Sequence, residues 1–266
     1  MLEESYEVFA LKYAERNNRT RAESFLFDDD HAVEHPMDYF IWVIRNENRT
    51  IVVDTGYDQA EGERRGRTVL SAPRDALRDF GIDAADVDTV IITHLHYDHA
   101  GTLDHFPKAM FYLQAAEMAY ATGPCMCDTA LQHPFTVGHV CDMVKRVYSG
   151  RVVFFDGVGA VAPGVTAHLV GGHSRGLQCV RVKTARGWLV LASDASHYYE
   201  NFQKRKLFPI VVDVENMLSG FDTLAELAES AHHIIPGHDP LVRRLYPAAS
   251  PSMLGAVHRL DVDPVG

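Results

Sequence analysis

Apolar and polar positions alternate over short stretches of this chain far more often than they recur at helical spacing. Ser5 to Ala14 sets Tyr6, Val8, Phe9, Leu11 and Tyr13 among polar neighbours and reads as a first strand. Tyr39–Ile44 and Thr50–Val53 read as two strands joined by the polar turn Arg45-Asn46-Glu47-Asn48, a hairpin. Further short strands are predicted at Val90–Ile92, Met110–Leu113, Val152–Phe155, Val165–Leu169, Gln178–Lys183 and Trp188–Ala192, with Arg186-Gly187 as a hairpin turn. His232–Ile235 is expected to be the last strand. Helical signals are fewer. Ser71 is placed to cap a helix with Pro73 in its first turn and Gly81 as its stop, burying Leu77 and Phe80. Ala115–Ala121 reads as helix, as do His139–Tyr148, with Val140, Val144 and Val147 on one face, and Asn216–Ala228, burying Leu218, Leu224 and Leu227. The stretch from Arg16 to Asp30 reads as a surface loop with the apolar cluster Phe25-Leu26-Phe27 and the acidic run Asp28-Asp29-Asp30, and 123–134 as a second loop.

Strands outnumber helices and hairpins recur, so one alternating parallel sheet fits badly and an α+β arrangement fits better. There is also a loose internal parallel. Ile51-Val52-Val53-Asp54 precedes His94 by 40 positions, and Val190-Leu191-Ala192-Ser193-Asp194 precedes His238 by 44. Each half offers a strand ending in aspartate, a helix, then a strand ending in histidine. This predicts one domain over 1–266, built of two related halves, roughly 1–150 and 151–266, facing each other with helices outside.

Composition narrows the partners. The 266 residues are 47% hydrophobic and 23% charged, which matches a soluble globular chain with a substantial core. A formal charge of −11 argues against nucleic acid and anionic membrane surfaces. No apolar run is long enough to span a bilayer, and the start Met1-Leu2-Glu3-Glu4-Ser5 lacks the order of a signal peptide, so a cytoplasmic protein is expected. Four cysteines, Cys125, Cys127, Cys141 and Cys179, are too few and too irregular for a disulfide framework. Fifteen histidines are the unusual feature, and their distribution matters more than their number.

Thr93-His94-Leu95-His96-Tyr97-Asp98-His99-Ala100-Gly101 packs three histidines and an aspartate into six residues directly after an apolar run. Imidazole nitrogens and carboxylate oxygens suit zinc, or manganese, iron or cobalt. His173 in Gly171-Gly172-His173-Ser174, Asp194, His197, and His238 in Pro236-Gly237-His238 follow further strands, where rigid scaffolds present functional side chains. Asp54, in Asp54-Thr55-Gly56, is a carboxylate at a strand end.

In its order of His94-Leu95-His96-Tyr97-Asp98-His99, His173, Asp194 and His238, the chain resembles the metallo-β-lactamase superfamily over about Tyr39 to Pro240. The resemblance implies an αβ/βα sandwich with two divalent metal ions, zinc first among them, between loops of the two sheets. By motif position it assigns His94, His96 and His173 to one metal and Asp98, His99 and His238 to the other, with Asp194 bridging. Asp54 matches a position that supports the site from outside it; a turn-capping carboxylate is the equal alternative. Within the superfamily the chain is most similar to the acyl-homoserine-lactone lactonases, whose tyrosine three residues after the bridging aspartate is here His197, followed by Tyr198 and Tyr199.

That resemblance implies a quorum-quenching hydrolase that opens a lactone by attack of a metal-bridging hydroxide. Asp98 is then the expected proton donor to the leaving oxygen, and His197 or Tyr198 the residue that steadies the carbonyl. Alternatives are a lactonase for another catabolic lactone, aromatic or pyridoxolactone-like, or a thioester hydrolase resembling glyoxalase II. With 28 residues after His238, the helical extension of the latter is not expected, nor is the flavin partner of a di-iron reductase. Phe25-Leu26-Phe27, Met126 and Phe135 are the residues available for an acyl groove, though packing is their commoner use. A homodimer is compatible with the resemblance.

Overall fold

Two β-sheets lie face to face in the computed structural model, which describes residues 4–27 and 30–265; Met1, Leu2 and Glu3 and most of the acidic run, Asp28 and Asp29, lie outside them. The first sheet takes β1 (Glu7–Arg16), β2 (Met37–Arg45), β3 (Thr50–Val53), β4 (Thr68–Val69), β5 (Thr89–Ile91), β6 (Met110–Gln114) and β7 (Val152–Phe155). The second takes β8 (Val158–Ala162), β9 (Val165–Leu169), β10 (Gln178–Thr184), β11 (Gly187–Ser193) and β12 (Ile234–Pro236), while β13 (Val257–Arg259) returns to the first. The orders are β13-β1-β2-β3-β5-β6-β7, with β4 on β1, and β12-β11-β10-β9-β8.

The period-two alternation explains the layering. Along β2, Phe40, Trp42 and Ile44 point into the core between the sheets, against Val180, Val182, Leu189 and Leu191. Tyr39, Ile41 and Val43 point the other way, into a core beneath helices that contains Leu77, Tyr120, Val140 and Met143. A strand covered on both faces reads as a continuous apolar run, as this one does. Helices α1 (Gln59–Arg65), α2 (Pro73–Asp79), α3 (Ala115–Ala121), α4 (Thr129–Gln132) and α5 (Val137–Tyr148) fall in the first half, and α6 (Tyr199–Lys204), α7 (Val214–Leu227) and α8 (Leu241–Leu245) in the second. Leu224 of α7 packs on Val190 and Ala192 on the outer face of the second sheet, completing an αβ/βα sandwich.

Several expectations are refined. The segment 232–235 holds a short 3-10 turn at Ala231–His233 before β12, and β13 follows it, so it is not the last strand. His233 is buried and His232 exposed, as two adjacent residues near a strand require. The loop 123–134 contains a 3-10 turn and α4, and α2 begins after Ala72 with no side-chain cap from Ser71. On α5 the buried residues are Val140, Met143 and Arg146, with Val144 and Val147 only half-buried. β7 pairs with β6 in the first sheet.

β3 pairs parallel to β5, and β11 parallel to β12, each with helices in the crossover. The carboxyl ends of these strands carry Asp54, Thr93–His94, Asp194 and His238, all at one edge of the sandwich.

Candidate metal centre

β5 delivers a loop that is buried from Thr93 through Ala100. Its turn is closed by the amides of His99 and Ala100, both donating to the His96 carbonyl. The loop can lie this deep only because Gly101 has no Cβ: one there would sit 2.5 Å from the Gly56 carbonyl oxygen. Across the cleft, a Cβ on Gly237 would come within 2.9 Å of Asp194 Oδ1, so glycine there leaves room for that carboxylate. Gln178 ties the sheets together at this edge, donating through its amide to Thr93 O and through its side chain to Ile92 O.

The histidines are aimed by their Nδ1 atoms. His238 Nδ1 lies 2.9 Å from the Asp38 carbonyl, His173 Nδ1 2.8 Å from the Ile210 carbonyl, and His99 Nδ1 2.7 Å from Asp54 Oδ2. Each of these neighbours is an acceptor, so Nδ1 carries a proton and Nε2 is the atom turned toward the site, where its lone pair would serve a cation that displaces any second proton. The Nε2 atoms converge on Asp194. Its Oδ2 is 3.2 Å from His173 and 3.9 Å from His94, while its Oδ1 is 3.0 Å from His238 and 3.3 Å from His99. Asp98 Oδ2 approaches His238 at 3.7 Å and His99 at 3.8 Å.

Ligand atoms of His94, His96 and His173 fall within 4.8 Å of one another, as do those of Asp98, His99 and His238. The same holds for His94, His99 and Asp194, and for His173, Asp194 and His197. His94 Nε2, His99 Nε2, His173 Nε2 and Asp194 Oδ1 are fully buried without a hydrogen-bond partner. Orphaned buried polar atoms are costly, and lone pairs facing one another are worse. A nitrogen- and oxygen-rich set of this kind fits a pair of borderline divalent cations.

Electrostatics follow from burial. Desolvation, then the neighbouring imidazoles, hold His94 and His96 well below the ordinary histidine range. For His99, burial opposes the charged form but Asp194, Asp54 and Asp98 outweigh it and hold it well above that range. Burial raises Asp54, which nonetheless accepts from Thr93 N at 2.7 Å and Thr93 Oγ1 at 2.8 Å. Both expected features of Asp54 are therefore present: it ends a strand as a turn carboxylate, and it orients His99.

His197 lies against the bridging candidate Asp194. Its Nε2 is 2.9 Å from Asp194 Oδ2 and its ring stacks on Phe208 at 3.9 Å. Burial pushes its imidazole down to about 3, and a neutral imidazole has a single N–H. Asp194 thus occupies Nε2 of His197. Tyr198 does not reach in; its hydroxyl donates to the Pro36 carbonyl and accepts from Arg19.

Some contributors were not legible beforehand. Glu117, fully buried at the start of α3, accepts from Leu95 N at 2.9 Å, Ser174 Oγ at 2.5 Å and Gly176 N at 2.8 Å, tying the loop of His94 to that of His173. A cavity of about 80 Å³ opens onto His96, Asp98, His173, Asp194, His197 and His238. Arg16, Arg19, Arg65 and Arg67 also line it, as do Met37, Phe208 and Ile210. Of the residues available for an acyl groove, Phe25, Met126 and Phe135 pack in or against the core under the first sheet, the Phe135 ring 4.6 Å from that of His96, and Phe27 is 93% exposed.

Known proteins share this architecture. The family model of the metallo-β-lactamase superfamily matches residues 36–246. An N-acyl homoserine lactonase, AttM, of Azorhizobium caulinodans is 27% identical over 177 residues, covering 62% of each chain, so the match spans less than two thirds of that relative. A crystal structure of a quorum-quenching N-acyl homoserine lactone lactonase superposes with a TM-score of 0.74 at 21% identity, covering 90% of this chain and 95% of that one. AidC, a dizinc quorum-quenching lactonase, gives 0.68 at 18% identity over 90% of each. With the family model spanning most of its length and the sandwich and histidine clusters in place, this chain belongs to the metallo-β-lactamase superfamily.

Proposed function

We propose that this protein is a dinuclear-metal lactonase that adds water across the cyclic carboxylic ester bond of a small lactone. The observation that carries the reading is the division of Asp194 between two clusters, Oδ2 toward His94 and His173 and Oδ1 toward His99 and His238. His94, His96 and His173 would hold one cation and Asp98, His99 and His238 the other, with Asp194 shared. Bound there, two divalent cations, zinc first among them, supply a Lewis acid for the ester carbonyl and bring the pKa of water to about 7.

The chain's own side chains orient and move protons. His197 holds Asp194 in register through Nε2, which makes it a positioning residue. Asp98 is the most exposed of the set, 8%, and faces the cavity, so it is placed to take the proton given up by the attacking water and pass it to the alkoxide leaving oxygen. Replacing Asp98 by Asn should lower kcat by roughly 10²-fold or more while bound metal stays near wild type. Equal loss of metal and turnover would reduce Asp98 to a ligand.

N-acyl homoserine lactones are the first substrates to test, because AttM, to which the chain is similar, is named for them and AidC holds the product N-hexanoyl-L-homoserine. Metal analysis joined to a panel of N-acyl homoserine lactones of graded length, plain γ- and δ-lactones and aromatic lactones tests the reading. Two metals per chain and opening of at least one lactone class are expected. Two irons with redox-active absorption and no ring opening would overturn it.

A further inference from the structure

Four arginines reach the wall of one small cavity in a chain whose net charge is −11. Two are matched. Arg16 pairs with Glu23 at 2.6 Å, and Arg65 pairs with Glu61 at 2.5 Å while its guanidinium lies 3.8 Å from the Tyr97 ring centroid. The other two, among the described residues, have no carboxylate partner. Arg67 donates from Nε to the Tyr97 hydroxyl at 3.2 Å and from Nη1 to the Arg65 carbonyl at 2.7 Å. Arg19, only 6% exposed, donates to Ser24 Oγ at 3.0 Å, to the Glu23 carbonyl at 2.6 Å and to the Tyr198 hydroxyl. Its Nε is buried with no partner at all.

These acceptors are hydroxyls and backbone carbonyls, and none is a carboxylate. A desolvated guanidinium without a counter-charge is costly to keep, and a planar carboxylate matches its donors. Asp98, the carboxylate whose charge reaches Arg67 across the cavity, would be engaged by a cation held with His99 and His238. The cavity is about 80 Å³, with Met37, Phe208 and Ile210 as apolar side chains on its wall. Charge and size thus favour a short anionic ligand.

We propose that Arg67, together with Arg19, forms an anion subsite beside the metal centre, and that the lactones this protein takes best carry a carboxylate. The choice of lactone rests on the lactonase reading above; the anion subsite does not.

The test compares γ-butyrolactone, its γ-carboxylate and N-hexanoyl homoserine lactone on the zinc-loaded protein. The carboxylate should lead in kcat/KM by about tenfold or more, the size of one charge-assisted hydrogen bond. In R67Q that lead should shrink to about twofold, chiefly through KM, and R67K should keep part of it. In the wild type the lead should fall as salt rises, since screening acts on the charged substrate alone. A wild-type preference for either neutral lactone, or a lead that survives R67Q, would overturn the proposal. If R67Q does not fold, R67K and the salt series decide. Glutarate binding by calorimetry separates the two claims. Binding lost in R67Q with no lactone opened keeps the subsite and removes the lactonase; equal binding in both proteins removes the subsite.

Discussion

Asp54 adopts a left-handed backbone, φ 60°, although it carries a Cβ and is completely buried. Such a conformation costs about 1–3 kcal/mol and persists only where the surroundings hold it. Here three contacts do so: the Thr93 amide, the Thr93 hydroxyl and His99 Nδ1. Ser193, the residue before Asp194, has φ 47° and meets the same Thr93 hydroxyl at 2.8 Å, so the first half strains Asp54 itself and the second the residue before Asp194. Asp54→Asn should keep the shape of the side chain but put an NH₂ where either Thr93 or His99 needs an acceptor. The expected result is roughly 10- to 100-fold weaker binding of one metal of the pair, read by chelator competition. Two unchanged affinities would leave Asp54 as a turn residue only. At this scale the ligands were legible because histidine clusters after strands have few packing explanations. Arg67 and Arg19 were not, because what marks them is the lack of a partner, and partners exist only in three dimensions. His197 was legible as a position but not as a contact, since nothing in the chain order places its Nε2 on Asp194.

Between elements, the centre depends on how two loops are held to each other. The loop after β5 and the loop before β10 come from different sheets, and Glu117 of α3 accepts a hydrogen bond from each. Glu117→Ala would leave the buried amides of Leu95 and Gly176 unsatisfied, at about 1–3 kcal/mol each. Thermal unfolding should therefore begin several degrees lower, and binding of the cation near His173 should weaken with it. A variant with wild-type melting would show that other contacts align the loops. Elements with an apolar period, such as β2, α3 and α7, were readable within one to two residues. α1 was not: Gln59–Arg65 has no apolar stripe and stands on its Asp58 cap, its Gly66 stop and the Glu61 ion pairs. β8 was missed because Val158 and Ala160 lie on the exposed face of an edge strand beside Gly159, a weak pattern for any element.

For the molecule as a whole, acidification brings two opposed effects. Between neutrality and the pI near 5.7 the net charge of −11 falls away, which relieves self-repulsion and favours the compact state. Below that, carboxylates held by cations in the fold begin to cost stability. Glu61 is the clearest case: burial alone would raise it, but hydrogen bonds from Arg64, Arg65 and Thr136 outweigh burial and bring it from 4.5 to about 2. A carboxylate depressed on folding contributes stability that is complete above its unfolded value and disappears as pH falls through its folded one. The gap in stability between the wild type and Glu61→Gln should therefore be constant above about pH 5, shrink between 4.5 and 2, and close below that. Urea unfolding at stepped pH measures it. A gap that stays the same at every pH would mean that Glu61 contributes shape rather than charge. The same series bears on the cavity, because Glu61 is what keeps Arg65 matched there. In E61Q a third unpaired guanidinium would join Arg19 and Arg67, and glutarate should bind more tightly than in the wild type at neutral pH.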